Sequence, residues 1–174
     1  MTAAIFLDRD DILVEDVGFH YKIEDFKLIP NVIEGLKLLK NYKLFIITNQ
    51  SGIGRGYYTL KDFENFNNYL LRELKKYKIE IEKTYLCPHK PEDNCECRKP
   101  KAKLILDAAK EFNIDLKKSF VVGDMKSDIE MGKNAGCKTI LVLTGKGMKE
   151  KEHAKADYVA KDLVDAAKRI RENE

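Results

Sequence analysis

Asp8-Arg9-Asp10 directly follows the apolar run Ala3-Ala4-Ile5-Phe6-Leu7, placing two carboxylates two residues apart where a short strand would end. In an extended chain that spacing sends both side chains to the same side. Two negative charges held together at a strand tip are costly unless a cation lies between them. Carboxylates and carbonyls suit magnesium, so a divalent metal is one reading and a pair of solvated surface acids the other.

Three further segments carry groups of chemical interest. Thr48-Asn49-Gln50-Ser51-Gly52 supplies hydroxyl, amide and glycine N–H groups that can donate to an oxyanion, although a plain strand-to-helix turn uses the same residue types. Gly123-Asp124-Met125-Lys126-Ser127-Asp128 follows the apolar Phe120-Val121-Val122 and brings a third carboxylate, Asp124. Asp128 reads either as a further acid or as a helix cap. Arg98-Lys99-Pro100 sets two cations side by side, as a solvated pair or as an anchored phosphate contact.

Just before them, Cys87, His89, Cys95 and Cys97 offer three thiols and an imidazole within eleven residues. A Cys₃His set suits tetrahedral zinc, and the two-residue spacing in each half lets each pair project from one side of an extended segment. Four protein ligands leave no position for a catalytic water, so such a zinc is structural. It would clamp the loop that carries Arg98 and Lys99. Unliganded thiols beside a surface histidine are the alternative. Cys137, alone at the start of an apolar run, reads as a small buried hydrophobe.

These groups need elements to hold them, and the pattern supplies strands alternating with helices. Apolar runs predict strands at 3–7, 43–48, 83–87, 120–122, 139–143 and 157–160, and amphipathic stretches predict helices at 32–40, 60–77, 102–112, 128–135 and from 163 onward. Val32, Leu36 and Leu39 share one helical face, as do Phe63, Phe66, Leu70 and Leu74. That alternation indicates a parallel sheet covered on both faces, with ligands beyond the carboxyl ends of its strands. The continuously apolar cores 44–47 and 140–143 suit such burial. The charged 169–174 is expected to fray.

With 174 residues, 44% of them hydrophobic and 35% charged, the chain fits one domain of ordinary globular balance. A net charge of +3 does not by itself point to nucleic acid. No apolar run approaches a membrane span, and the amino-terminal one meets charge after five residues, unlike a signal peptide. A cytoplasmic protein is expected, where disulfides are disfavoured and clustered cysteines need another use.

The order of DxD, strand-terminal Thr, Lys and strand-terminal Gly-Asp followed by a further Asp resembles the haloacid dehalogenase (HAD) superfamily of phosphotransferases. Phe6-Leu7-Asp8-Arg9-Asp10, Thr48-Asn49-Gln50-Ser51-Gly52-Ile53-Gly54-Arg55-Gly56, Cys87-Pro88-His89, Cys95-Glu96-Cys97-Arg98-Lys99-Pro100 and Val122-Gly123-Asp124 closely resemble one branch of it. That branch is the D-glycero-D-manno-heptose 1,7-bisphosphate phosphatase family, which also includes the histidinol-phosphate phosphatases. The likeness runs from about Ile5 to Lys146, and the zinc loop is its most specific part.

The resemblance implies an α/β protein with a three-layer α/β/α Rossmann-like HAD fold. Its central sheet would be mostly parallel, with no large cap domain and with a zinc-binding loop, in a single domain over residues 1–174. Asp8 is implied as nucleophile and Asp10 as general acid and base, with Thr48 and Lys99 holding the transferring phosphoryl group. Catalytic Mg2+ would bind Asp8, Asp124 and the backbone carbonyl of Asp10, and structural Zn2+ would bind Cys87, His89, Cys95 and Cys97. Substrate contacts map onto Asp16, Val17, Gly18 and Phe19, onto Thr48, Asn49, Gln50 and Ser51, and onto Arg98 and Lys99. Arg98 is implied at the second, non-reacting phosphate.

The implied reaction is magnesium-dependent removal of the 7-phosphate of D-glycero-D-manno-heptose 1,7-bisphosphate through an aspartyl phosphate. Histidinol-phosphate hydrolysis would use the same atoms, and the loop 16–27 beside the DxD should decide between them. A nucleic-acid 3'-end phosphatase is a third reading, opposed by the modest net charge and the zinc loop. A zinc-stabilised module without activity is a fourth, and it predicts no magnesium-dependent turnover. The expected partner is a small phosphorylated sugar, not nucleic acid or a membrane. With no heptad pattern or long apolar stripe, a monomer is the default. The chain departs from the family at Asp11-Ile12, where Gly-Thr is usual, and at Met125, where Lys often follows Gly-Asp. Lys101-Ala102-Lys103 also replaces a glycine-containing turn. Asp11 adds negative charge beside a phosphate site, and Met125 removes a possible substrate contact.

Overall fold

The computed structural model describes residues 1–172. The short apolar runs become β1 (Ala4–Leu7), β2 (Lys43–Asn49), β3 (Lys83–Cys87), β4 (Phe120–Gly123), β5 (Lys138–Val142) and β6 (Tyr158–Ala160). They form a six-stranded sheet in the order β3-β2-β1-β4-β5-β6, with every neighbouring pair parallel. Parallel neighbours require crossovers, and helices supply most of them. These are α1 (Val32–Leu38), α2 (Ser51–Gly54), α3 (Leu60–Lys75), α4 (Lys103–Phe112), α5 (Lys126–Ala135), α6 (Gly147–Ala154) and α7 (Leu163–Glu172).

Alternation along the strands makes two apolar faces, and each recruits its own helices. Ile5 and Leu7 of β1 join Leu44, Ile46, Phe120 and Val122 in a core closed by Leu36 of α1, Phe66 and Leu70 of α3 and Ile170 of α7. Ala4 and Phe6 point the other way, with Phe45, Ile47 and Val121, and pack against Ile105 and Ala108 of α4 and Met131 of α5. The expected α/β/α arrangement thus follows from which side of each strand is apolar. No large cap interrupts it: residues 8–31, between β1 and α1, form an arch held by bridges of Val14 to Asp10 and to Leu28.

Two elements depart from expectation. Helix α6 has no apolar stripe in Gly147-Met148-Lys149-Glu150-Lys151-Glu152-His153-Ala154 to announce it and buries only Gly147 and Ala154. Fraying predicted from 169 onward does not begin there, because Ile170 is fully buried and α7 continues to Glu172. Residues 173–174 of that stretch lie outside the described residues. Among the described residues no helix is long and apolar enough to cross a membrane.

Candidate active site

The strand order reverses between β1 and β4, and such a reversal leaves a crevice at the carboxyl ends of the strands. Leu7 of β1 lies opposite Ile46 of β2 and Val122 of β4, so the next residue of β1, Asp8, emerges between the other two strand tips. Its backbone N–H donates to the Val122 carbonyl at 3.1 Å. A cavity of about 530 Å³ opens here, walled by Asp8, Asp10, Asp124, Asp128 and Lys99 among others. Carboxylate oxygens of Asp8, Asp124 and Asp128 lie within 4.8 Å of one another. Asp128 reaches the tip of β4 because residue 123 is glycine: a Cβ there would sit 2.4 Å from the Asp128 side chain. Asp128 Oδ2 accepts from the Met125 N–H at 3.1 Å, and Oδ1 accepts from Lys99 Nζ at 2.7 Å. It is helix cap and site acid at once.

Lys99 Nζ also donates to Asp8 Oδ1 at 2.8 Å, so one buried ammonium bridges two carboxylates. Burial opposes the Lys99 charge, but Asp128 and Asp8 more than offset it and hold the group above its ordinary pKa. Burial pushes Asp8 up to about 8; Lys99 opposes that shift, while Asp128, Asp10 and Asp124 add to it. Burial likewise lifts Asp124 to about 7, against a donated hydrogen bond from the Lys146 N–H at 2.8 Å. Lys99 pairs with two of the three carboxylates, so ionising all three would leave two negative charges unmatched. An all-oxygen cluster of that charge fits a hard divalent cation.

Asp10 stands apart. Its carboxylate is not one of the three that cluster. It is turned to the fully buried Arg9, whose Nε donates to Oδ1 at 2.7 Å and Nη2 to Oδ2 at 3.1 Å. Arg9 Nη2 also donates to the His20 carbonyl at 3.1 Å, and its guanidinium lies over the Phe66 and Phe63 rings at 4.9 and 5.6 Å. Gln50 Nε2 donates to Asp10 Oδ2 at 3.1 Å and to Thr48 Oγ1 at 2.8 Å. Tyr58 Oη donates to Gln50 Oε1.

Of the expected substrate contacts, Asp16, Gly18, Phe19, Asn49, Gln50, Ser51, Arg98 and Lys99 line the cavity. Thr48 and Val17 do not. Thr48 is 1% exposed, its hydroxyl taken up by Gln50, and Val17 is 57% exposed. Asp16 Oδ1 accepts from the Gly18 N–H at 2.8 Å and its Oδ2 lies 3.7 Å from Lys146 Nζ, while Phe19 meets Tyr57 edge-on at 4.6 Å.

The cysteine loop is drawn together as its spacing suggests. Cys87 Sγ lies 2.9 Å from Cys97 Sγ and 3.5 Å from Cys95 Sγ, and His89 Nδ1 lies 3.2 Å from Cys97 Sγ. Tetrahedral zinc with Zn–S near 2.3 Å puts its sulfurs about 3.8 Å apart; two of the three sulfur pairs approach that, Cys87 and Cys97 lie closer, and three thiols with an imidazole are donors of the type zinc takes. All four cysteines of the chain are free thiols. The loop is tied to the site: the Gln50 N–H donates to the Cys87 carbonyl at 2.8 Å, and Arg98 Nη1 to the His89 carbonyl at 3.2 Å.

Comparison with known proteins gives this geometry relatives. A family model described as HAD-hydrolase-like matches residues 96–166. A D-glycero-beta-D-manno-heptose-1,7-bisphosphate 7-phosphatase of Helicobacter pylori (strain J99) is 50% identical over 149 residues, spanning 84% of this chain and 86% of the relative. The chain belongs to the D-glycero-D-manno-heptose 1,7-bisphosphate 7-phosphatase family of HAD phosphatases. A Campylobacter jejuni relative, named for the alpha anomer, is 46% identical over 82% of this chain and 83% of its own. The crystal structure of D,D-heptose 1,7-bisphosphate phosphatase from B. bronchiseptica, complexed with magnesium and phosphate, superposes with a TM-score of 0.91 at 28% identity. It covers 99% of both chains.

Against the heptose phosphatase pattern, Asp11 is the residue to explain, and the structure absorbs it locally. It adopts a left-handed backbone (φ 61°), its carboxylate accepts from the Asp16 N–H at 3.0 Å, and its carbonyl accepts from Thr144 Oγ1 at 2.9 Å. The carboxylate therefore pins the loop that carries the 16–19 contacts. Sequence reasoning did not single out Tyr58, Lys146 or the ion pair of Asp128 with Lys99. Tyr58 carries no motif, and Asp128 is readable as a further acid or as a helix cap but not as the partner of Lys99.

Proposed function

We propose that the protein is a magnesium-dependent phosphatase that removes the 7-phosphate of D-glycero-D-manno-heptose 1,7-bisphosphate through an aspartyl phosphate. The observation that carries the chemistry is the cluster of Asp8, Asp124 and Asp128 around Lys99 at one strand-tip crevice. The substrate rests on family membership. Phosphate monoesters are among the slowest esters to hydrolyse, with accelerations of up to ~10²¹ on record, and splitting the reaction through a covalent enzyme intermediate makes it tractable.

Asp8 attacks phosphorus while Lys99 offsets charge on the phosphoryl oxygens. Asp10 gives its proton to the leaving sugar oxygen as the P–O bond breaks. It then takes a proton from the water that releases phosphate from Asp8. Asp8, Asp124 and the Asp10 carbonyl would hold magnesium, which would supply positive charge at the transferring group and favour ionised Asp8. Arg98 receives the second phosphate, and Asn49, Ser51 and Phe19 line the same cavity. Thr48 stands behind that wall, where its hydroxyl oxygen accepts from Gln50 Nε2. Zinc in the Cys87, His89, Cys95, Cys97 set fixes the loop that aims Arg98 and Lys99. Free thiols serving as ligands suit the reducing cytoplasm, where we place the enzyme.

The deciding experiment is phosphate release with magnesium from heptose 1,7-bisphosphate and from histidinol phosphate, side by side, with Asp8→Asn as control. We expect a preference for the bisphosphate of about a hundredfold or more, roughly 2.7 kcal/mol of differential transition-state binding. An equal or reversed preference overturns the substrate, and release that survives Asp8→Asn overturns the nucleophile.

A further inference from the structure

Gln50 reads from the sequence as a substrate contact, yet both ends of its amide are engaged by the protein. Its two N–H groups serve Asp10 Oδ2 and Thr48 Oγ1, its carbonyl accepts from Tyr58 Oη, and the side chain is buried. We propose that Tyr58 is a positioning residue for proton transfer by Asp10, acting through the amide of Gln50. The inference rests on the reading of Asp10 as general acid and base given above.

A carboxamide can present either end to its surroundings. With the NH₂ toward Asp10 it donates to the carboxylate; reversed, it would set a carbonyl against a carboxylate. The carboxylate of Asp10, which only accepts, takes the NH₂ end, and Tyr58 Oη, donating to the carbonyl at the other end, reinforces that orientation. Tyr58 is itself held. Its ring stacks on Tyr21 at 4.8 Å and 15°, and it occupies the space left by the missing Cβ of Gly52, which would lie 2.1 Å from Tyr58 Cε1. Arg9 grips Asp10 from the other side through two hydrogen bonds, with its guanidinium over Phe66.

The consequence concerns one step. As the Asp8 oxygen bonds to phosphorus and the ester P–O bond breaks, a proton passes from the Asp10 carboxyl to the leaving oxygen. Negative charge then appears on a carboxylate already faced by three donated hydrogen bonds, so no rearrangement is needed at that moment. Tyr58 and Gln50 keep their own protons throughout.

The test compares leaving groups. A sugar alkoxide needs the proton, whereas p-nitrophenolate departs without it. Tyr58→Phe should lower kcat/KM for heptose 1,7-bisphosphate roughly tenfold or more, within the range of general acid catalysis. On p-nitrophenyl phosphate it should leave kcat/KM within about twofold of wild type. Tyr21→Leu, which removes the ring stacked on Tyr58, should show the same split more weakly and serves if Tyr58→Phe does not fold. A role in folding alone lowers both esters equally, and that result, or no loss on either, overturns the proposal. Asp10→Asn separates it from the underlying reading. If Asp10→Asn shows the split and Tyr58→Phe does not, only the Tyr58 role falls. If Asp10→Asn loses equally on both esters, the assignment of Asp10 falls and takes the Tyr58 role with it.

Discussion

Lys99 shows how far a single side chain can govern this site. Its ammonium is the partner of both Asp8 and Asp128, and all three are largely buried. Removing one member of a buried charge cluster leaves the others unpaired, at a cost of about 3–5 kcal/mol. Lys99→Met should therefore lose activity and also lose about 3–5 kcal/mol of unfolding free energy in urea denaturation of the magnesium-free protein. A variant as stable as wild type would show that solvent reaches the acids more freely than their burial implies. Gly52 makes a second test at this scale. A methyl group there would meet the Tyr58 ring, and such overpacking costs about 1–3 kcal/mol. Gly52→Ala should fall in thermal midpoint and share the leaving-group dependence expected of Tyr58→Phe; preserved activity on both esters would argue that the ring can move aside.

Among the elements, the cysteine loop and α3 carry separable duties. The loop delivers Arg98 and Lys99 to the strand tips, so loosening it should disturb catalysis more than folding. Cys95→Ser should release zinc, measurable by atomic absorption, and lower kcat/KM on the order of 10–100-fold while far-UV circular dichroism stays the same. Retained zinc with full activity would remove the loop from the account. Helix α3 is a stability element: Thr59 and Asp62 form a reciprocal capping box, and Phe63, Phe66, Leu70 and Leu74 face the core. Thr59→Ala should cost about 1 kcal/mol in urea denaturation with the kinetic constants unchanged. The spacing of those apolar residues made α3 plain from the sequence. Helix α6, which buries so little, left no such trace.

For the whole molecule, the acid cluster couples folding to pH and to magnesium. Asp8 and Asp124 sit near 8 and 7, far above their ordinary 3.8, because burial disfavours their ionised forms. The folded state then holds protons that the unfolded chain has released. Their contribution to stability is full below about pH 4 and is lost as pH rises through 7 to 8. Magnesium reverses this by favouring the ionised cluster, so it should raise the thermal midpoint more at about pH 8 than at about pH 5. An equal shift at both values would break the link between these acids and the metal. What the sequence determined alone was whatever depends on local order. It placed the strands by their apolar runs, the thiol–imidazole cluster by a Cys₃His set closed within eleven residues, and the clustered acids Asp8 and Asp124 by their positions at strand ends. The tertiary structure decided which of those groups meet. Asp128 lies 120 residues from Asp8, and Gln50 lies 40 from Asp10. The pairing of β1 with β4 brings the first pair together, and the pairing of β1 with β2 brings the second. Orientation was equally hidden: whether Asp10 faces Asp8 or Arg9 depends on which donors surround it once residues 8–31 have arched over the strand tips.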